Sequence, residues 1–181
     1  RWILQEYITR PLLLKKKKFH IRWYYLYIRR ENQDIENYIL DIGKIFTAKD
    51  NYMEGDYQNQ SIHDTHLKST PKPLYFERDF KSEYGRDKCE LVMKQIKKIF
   101  RDVAKCIDAK CYSESKECFE VFGADLMIDE NFKVILIEVN TKIGLGTYQG
   151  DKVNINQILL ENLMNIVLGI YIQKNDRFIQ L

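Results

Sequence analysis

The sequence predicts an α+β (α/β) fold, a mostly antiparallel sheet flanked by helices, and three observations carry that expectation. Apolar, aromatic and β-branched residues gather in short alternating or continuous runs at 19–28, 119–128 and 133–139, the pattern of strands. Two later stretches repeat apolar residues every three or four positions, the pattern of amphipathic helices. The chain has 181 residues, 45% hydrophobic and 13% aromatic, enough for one domain with a core.

Taken in order, Trp2 to Ile8 (WILQEYI) is a β-prone run. In RPLLLKKKK, which follows, Pro11 blocks a ladder and four lysines must face water, so a crossing loop and a turn are expected. Phe19 to Ile28 (FHIRWYYLYI) is the most strand-like segment. Around its start Lys18, His20 and Arg22 alternate with Phe19, Ile21 and Trp23, which directs three basic side chains to one face. Such a face suits either open water or phosphate oxygens, Arg bidentately and Lys as a point charge.

Ile35 to Phe46 holds a further strand pair. Residues 47–84 turn polar, with two of the three prolines and little period, and are expected as a flexible insert. From Asp87 to Ile107 the apolar positions Cys89, Val92, Met93, Ile96, Ile99, Phe100, Val103 and Ile107 form a helical stripe opposite lysines, a packing element. GLGTYQG, from Gly144 to Gly150, lacks the Gly-Lys-Ser/Thr ending of a phosphate loop and reads as a flexible connection. A second helix is expected from Ile155 to Ile170 on Leu159, Leu160, Leu163, Ile166 and Val167.

Composition excludes several functions. Lys+Arg 29 against Asp+Glu 26 leaves a net charge of +3, too balanced to indicate a nucleic-acid binder. No apolar run approaches the roughly 18 residues of a membrane span. Four cysteines at irregular spacings, without C-x-x-C and with three histidines, predict neither a zinc site nor a disulfide framework and fit a reducing, cytoplasmic setting. Cys106 or Cys111 with His63 or His66 would make a nucleophile and base only if the fold joined them. The chain opens Arg1-Trp2 without methionine and is expected to be part of a longer one.

The chemistry concentrates in FEVFGADLMIDENFKVILIEVN, Phe119 to Asn140. Two apolar runs flank a turn-like Asp129-Glu130-Asn131, so an antiparallel pair is expected. Glu138 and Asn140, two apart, share a face; Asp125 joins them if the connecting loop has an even number of residues, a four-residue loop setting it opposite Leu136. These carboxylates either face water on a one-sided sheet or crowd together in a core, where a divalent cation would relieve their repulsion. Mg²⁺ takes hard oxygen donors of this kind and fills its other positions with water and nucleotide phosphates.

Together, WILQEYITRPLLLKKKKFHIRWYYL and FEVFGADLMIDENFKVILIEVN resemble the tubulin-tyrosine ligase-like family of ATP-grasp ligases, matching its W-[IV]-[IV]-Q-K-Y-I-x-x-P-L-L…K-F-D-I-R and F-E-[LV]-[FY]-G-x-D-[IFL]-M-[IV]-D…L-[IL]-E-V-N stretches. The resemblance covers most of the chain, poorly between Thr47 and Tyr84. It implies the C-terminal subdomain of an ATP-grasp, with residues 1–181 forming a partial domain that lacks the N-terminal half. Asp125, Glu138 and Asn140 would hold Mg²⁺ and the ATP phosphates. Gln5, Glu6, Tyr7 and Ile8 would form the hinge beside adenine, Lys18 would contact the nucleotide, and Arg22 would lie near the γ-phosphate and an acylphosphate intermediate.

The implied activity is ATP-dependent ligation of a free amino acid, Tyr, Glu or Gly, to tubulin tails, by a monomer of the cytoplasm, cytoskeleton or cilium that needs neither nucleic acid nor membrane. The chain departs from the pattern where His20 replaces an Asp expected near the ribose, where Phe46 replaces an Arg that Lys44 is placed to substitute, at His66-Leu67-Lys68-Ser69, and at Ile143. These departures keep open a degenerate, non-catalytic relative that binds microtubules or another acidic partner, and a ligase of small molecules.

Overall fold

The computed structural model describes residues 4–32, 34–66, 74–107, 117–144, 155–169 and 177–181. In chain order the elements are β1 (Leu13–Leu14), β2 (Lys17–Arg29), β3 (Ile35–Leu40), β4 (Lys44–Thr47), α1 (Gln60–His63), β5 (Leu74–Tyr75), a π-helical turn (Phe76–Phe80), α2 (Lys81–Cys106), β6 (Cys118–Ile128), β7 (Val134–Asn140), α3 (Ile155–Val167) and β8 (Phe178–Gln180).

β2 organises the sheet. Its 13 residues pair antiparallel with β4 and then β3 along one edge, and with β1 and β6 along the other. β7 continues from β6, β5 from β4 and β8 from β3, all antiparallel. Because side chains alternate, one face of β2 presents Phe19, Ile21, Trp23 and Tyr25 to Val92, Ile96 and Phe100 of α2. The other presents Tyr24, Leu26 and Ile28 to Leu159 and Leu163 of α3. Both faces are therefore covered over much of their length, which explains runs with little polar alternation.

At the β3–β4 corner Trp23 donates its indole N–H to the Leu40 carbonyl at 2.5 Å. A Cβ on Gly43 would lie 2.4 Å from the Trp23 ring, so only glycine lets the ring close over that corner. At the far end of α3, Arg30 donates to the Ile166 and Val167 carbonyls while its guanidinium grips Glu36, closing the open end of the helix.

Several expectations change. Residues 4–8 form no strand, and Leu4, Gln5, Glu6 and Tyr7 are exposed; β-propensity expresses packing, and among the described residues no strand pairs with this segment to supply it. Of the four lysines, Lys15 and Lys16 form the exposed two-residue β1–β2 turn with φ of 50° and 63°, but Lys18 is buried. The segment 47–84 contains α1, β5 and the π-helical turn, whose Phe76 and Phe80 are in the core. α2 begins before the expected start and is broken at Gly85 (φ 80°), after which it runs regularly to Cys106. Leu160 is exposed rather than part of the α3 stripe. GLGTYQG beyond Gly144 lies outside the described residues.

Cys118 is disulfide-bonded, whereas Cys89 and Cys106 are free. Spacing alone did not announce this bridge because pairing depends on how closely the fold brings two Cα atoms. Among the described residues no helix is long and apolar enough to cross a membrane.

Candidate active site

The α3 side of the sheet is apolar only at one end. Toward the start of β2 the same face carries Lys18, His20 and Arg22, and there the neighbouring strands contribute polar groups too. Arg22 lies between Lys44 of β4 and Asp125 of β6 in register, and Asp125 lies opposite Glu138 of β7. A polar row thus crosses four strands.

Arg22 grips Asp125 bidentately, Nε to Oδ1 at 2.5 Å and Nη2 to Oδ2 at 2.7 Å. This pair accounts for a carboxylate that is only 4% exposed. The missing side chain of Gly123 leaves room for the guanidinium stem, since a Cβ there would lie 3.2 Å from Arg22 Cδ. Asn140 donates its amide to Glu138 at 2.8 Å and reaches Asp125 Oδ2 at 3.5 Å. Asp125, Glu138 and Asn140 accordingly meet on one face.

They meet by a different register from the one expected. Ile128 pairs with Val134, not Lys133, so the loop has an odd length, which alone would turn Asp125 away from Glu138. Phe132 takes φ 63°, and the Asp129 carboxylate binds the N–H groups of Asn131 and Lys133, fixing the longer loop. A β-bulge then places Leu136 opposite Leu126 but Glu138 opposite Asp125, leaving Ile137 as the extra residue. The bulge reverses the parity and sets Asp125 opposite Glu138 instead of Leu136, a known use of bulges beside functional sites.

His20 is buried in this row. Its Nδ1 bonds Thr65 Oγ1 at 2.6 Å, and its ring stacks on Phe46 (centroids 5.0 Å) and meets the tilted ring of His66 (4.5 Å), which in turn touches Phe46, so the three rings form a cluster. Burial first, then repulsion from His66 and Arg22, pushes its pKa down to about 3, so the imidazole is neutral. Lys44 is buried beside Arg22, and its Nζ lies 3.4 Å from Asn156 Oδ1 at the start of α3. Lys44, not Phe46, therefore puts a cation into the row.

The residues expected as a hinge sit at one end of this face. Gln5, Glu6, Tyr7 and Ile8 line a cleft of about 390 Å³ together with Ile135 of β7. Ile135 pairs with Met127, and both share the face of Asp125, so the cleft wall and Glu138 lie on one strand about 10 Å apart. Lys18 links cleft and row: its Nζ donates to the Tyr7 hydroxyl at 2.9 Å and lies 4.5 Å over the Tyr7 ring. Burial lowers the Lys18 pKa and, with Tyr52 and Tyr57 nearby, pushes that of Tyr7 up to about 12.

Sequence reasoning missed Thr65 as the partner of His20, and His63, which takes the Tyr7 hydroxyl at 2.5 Å. Both lie in a polar segment without periodicity, and no residue-type signal points to them. Cys106 donates to the Asp102 carbonyl of its own helix while His63 bonds Tyr7 and the Asp56 carbonyl, so these two form no nucleophile and base; Cys111 lies outside the described residues.

A family model described as the tubulin-tyrosine ligase family matches residues 1–177. The chain belongs to the tubulin-tyrosine ligase family. Curated relatives within it include a probable tubulin–tyrosine ligase of Schizosaccharomyces pombe, 28% identical over 92% of this chain and 41% of the relative. A probable alpha-tubulin polyglutamylase of Tetrahymena thermophila is 25% identical over 92% and 43%, and tubulin glycylase 3A of Drosophila melanogaster is 28% identical over 93% and 18%. The chain thus spans less than half the length of each of these tubulin-tyrosine ligase family members.

Proposed function

We propose that this chain carries the C-terminal catalytic half of an ATP- and Mg²⁺-dependent ligase that joins an amino acid to a protein acceptor, tubulin tails in the first instance. The observation that carries the reading is the convergence of Asp125, Glu138 and Asn140 on one sheet face, continuous with the cleft formed by residues 5–8. Two carboxylates and an amide are the hard-oxygen donor set that magnesium accepts. Bound there with a nucleotide, the ion supplies charge neutralisation for phosphoryl transfer.

The chain's own residues prepare the place. Arg22 holds Asp125 in a fixed orientation and keeps a guanidinium beside it, where phosphate oxygens would find fixed donors. Lys44 adds a second cation in the same row, and Lys18 carries a third to the mouth of the cleft. Asn140 ties Glu138 toward Asp125, so both carboxylates reach one point with little reorganisation. The names of the relatives, which include tubulin polyglutamylases and a tubulin glycylase, support tubulin as acceptor and Tyr, Glu or Gly as the amino acid.

A second reading, a non-catalytic relative that binds microtubules or another acidic partner, is favoured by one observation. His20 and Phe46, which stand where the family carries Asp and Arg, are stacked on each other and fill that corner with rings. Incubating the full-length protein with ATP, Mg²⁺, tubulin and radiolabelled Tyr, Glu or Gly separates the readings. Label on tubulin that disappears without ATP is the expected result; no label with any of the three amino acids contradicts the ligase.

A further inference from the structure

Among the described residues, one buried side-chain nitrogen or oxygen has no hydrogen-bond partner: His20 Nε2. The side chain is 7% exposed and points at Asp125, whose Oδ1 lies 3.8 Å away, too far for a hydrogen bond. In the tautomer whose Nδ1–H donates to Thr65, Nε2 presents a lone pair to the Asp125 carboxylate, two acceptors facing each other out of water. A cation between them would satisfy both. His66, exposed on the loop after α1, lies with its ring tilted against that of His20, and one ligand atom from each of His20, His66 and Asp125 lies within 4.8 Å of the others.

We propose that His20, His66 and Asp125 bind a divalent transition-metal ion of the zinc type. Two imidazoles and one carboxylate suit zinc with a fourth position open, whereas magnesium prefers oxygen throughout. Tetrahedral zinc holds donors at about 2.0–2.2 Å, hence roughly 3.4 Å from one another. His20 and Asp125 stand near that spacing, and the remaining closure falls to His66, whose loop is exposed. Asp125 Oδ1 accepts from Arg22 with one lone pair and keeps another for the ion. Thr65 Oγ1 is the outer partner of the ring's other nitrogen and can accept from Nδ1–H when Nε2 holds the ion. No cysteine takes part, which is why cysteine spacing gave no hint of the site. The inference goes beyond the nucleotide reading and shares only Asp125 with it; Glu138 and Asn140 are not ligands.

The test is a competition titration of ZnCl₂ between the full-length protein and a chromophoric chelator, with magnesium and nucleotide omitted. One zinc per chain is expected, with affinity falling about tenfold or more in both His66→Gln and His20→Asn. His66 is exposed, so its variant keeps the fold; a urea transition checks the His20 variant. Glu138→Gln should keep wild-type zinc affinity. Failure to bind zinc, wild-type binding by His66→Gln, or a loss in Glu138→Gln as large as in His66→Gln would each overturn the site, and none of these outcomes bears on amino-acid ligation.

Discussion

The two faces of β2 share one backbone and differ in what closes them. On the α2 side Phe19, Ile21, Trp23 and Tyr25 meet Val92, Ile96 and Phe100, and the seam is apolar from end to end. On the α3 side the apolar seam stops after Tyr24, and Arg22, His20 and Lys18 are held by an ion pair, a ring stack and a tyrosine hydroxyl. The first face stabilises through volume and area; the second keeps charge in place where the helix cover ends. A polar row can exist on a buried sheet only where packing is replaced by mutually satisfied polar groups.

That comparison can be broken most forcefully on the apolar side. Trp23→Ala should cost about 3–5 kcal/mol, read as a lower urea midpoint, through cavity formation and a lost bond to Leu40. On the polar side Asp125→Ala should cost about 3 kcal/mol, because Arg22, 15% exposed, would be left without its partner. Adding Arg22→Met should recover part of that loss, whereas no second change of this kind would rescue Trp23→Ala.

Burial can also neutralise a carboxyl instead of pairing it, and Glu77 sharpens the contrast. Desolvation pushes its pKa from 4.5 up to about 7, against bonds from its own N–H and that of Gly43. The native state therefore holds a proton that the unfolded chain releases, so this contribution is full below pH 4.5 and is lost as pH rises through 7. Relative to Glu77→Gln, wild-type stability should fall across that window by no more than about 3 kcal/mol. Phe46→Ala should have the smallest effect, about 1 kcal/mol from the lost His20 stack, measured by thermal unfolding.

The elements that could be read in the sequence are those whose residues are buried by a regular neighbour. β2, β6, β7 and the body of α2 follow the apolar periods because each lies against another layer. Asp125, Glu138 and Asn140 were legible as a set, but their register was not: the odd loop and the bulge at Ile137 are backbone adjustments without a residue-type signature. Phe76 and Phe80 were hidden in a polar segment because a π-helical turn matches neither a strand nor a helix period. Residues 4–8 have strand-like side chains, but among the described residues no strand pairs with them. The Arg22–Asp125 pair links positions 103 residues apart, so each looked like an isolated charge until the sheet joined them.

Under the proposed function, the open end of the α3 face would bind a magnesium nucleotide through Asp125, Glu138 and Asn140. Calorimetric titration of Mg-ATP into the full-length protein and into its Glu138→Gln variant tests it most directly. Glu138 is exposed, so the substitution should leave the stability read from urea unfolding within about 0.5 kcal/mol of wild type. The account predicts magnesium-dependent binding that the variant loses; equal binding by both proteins, or binding indifferent to magnesium, would contradict it.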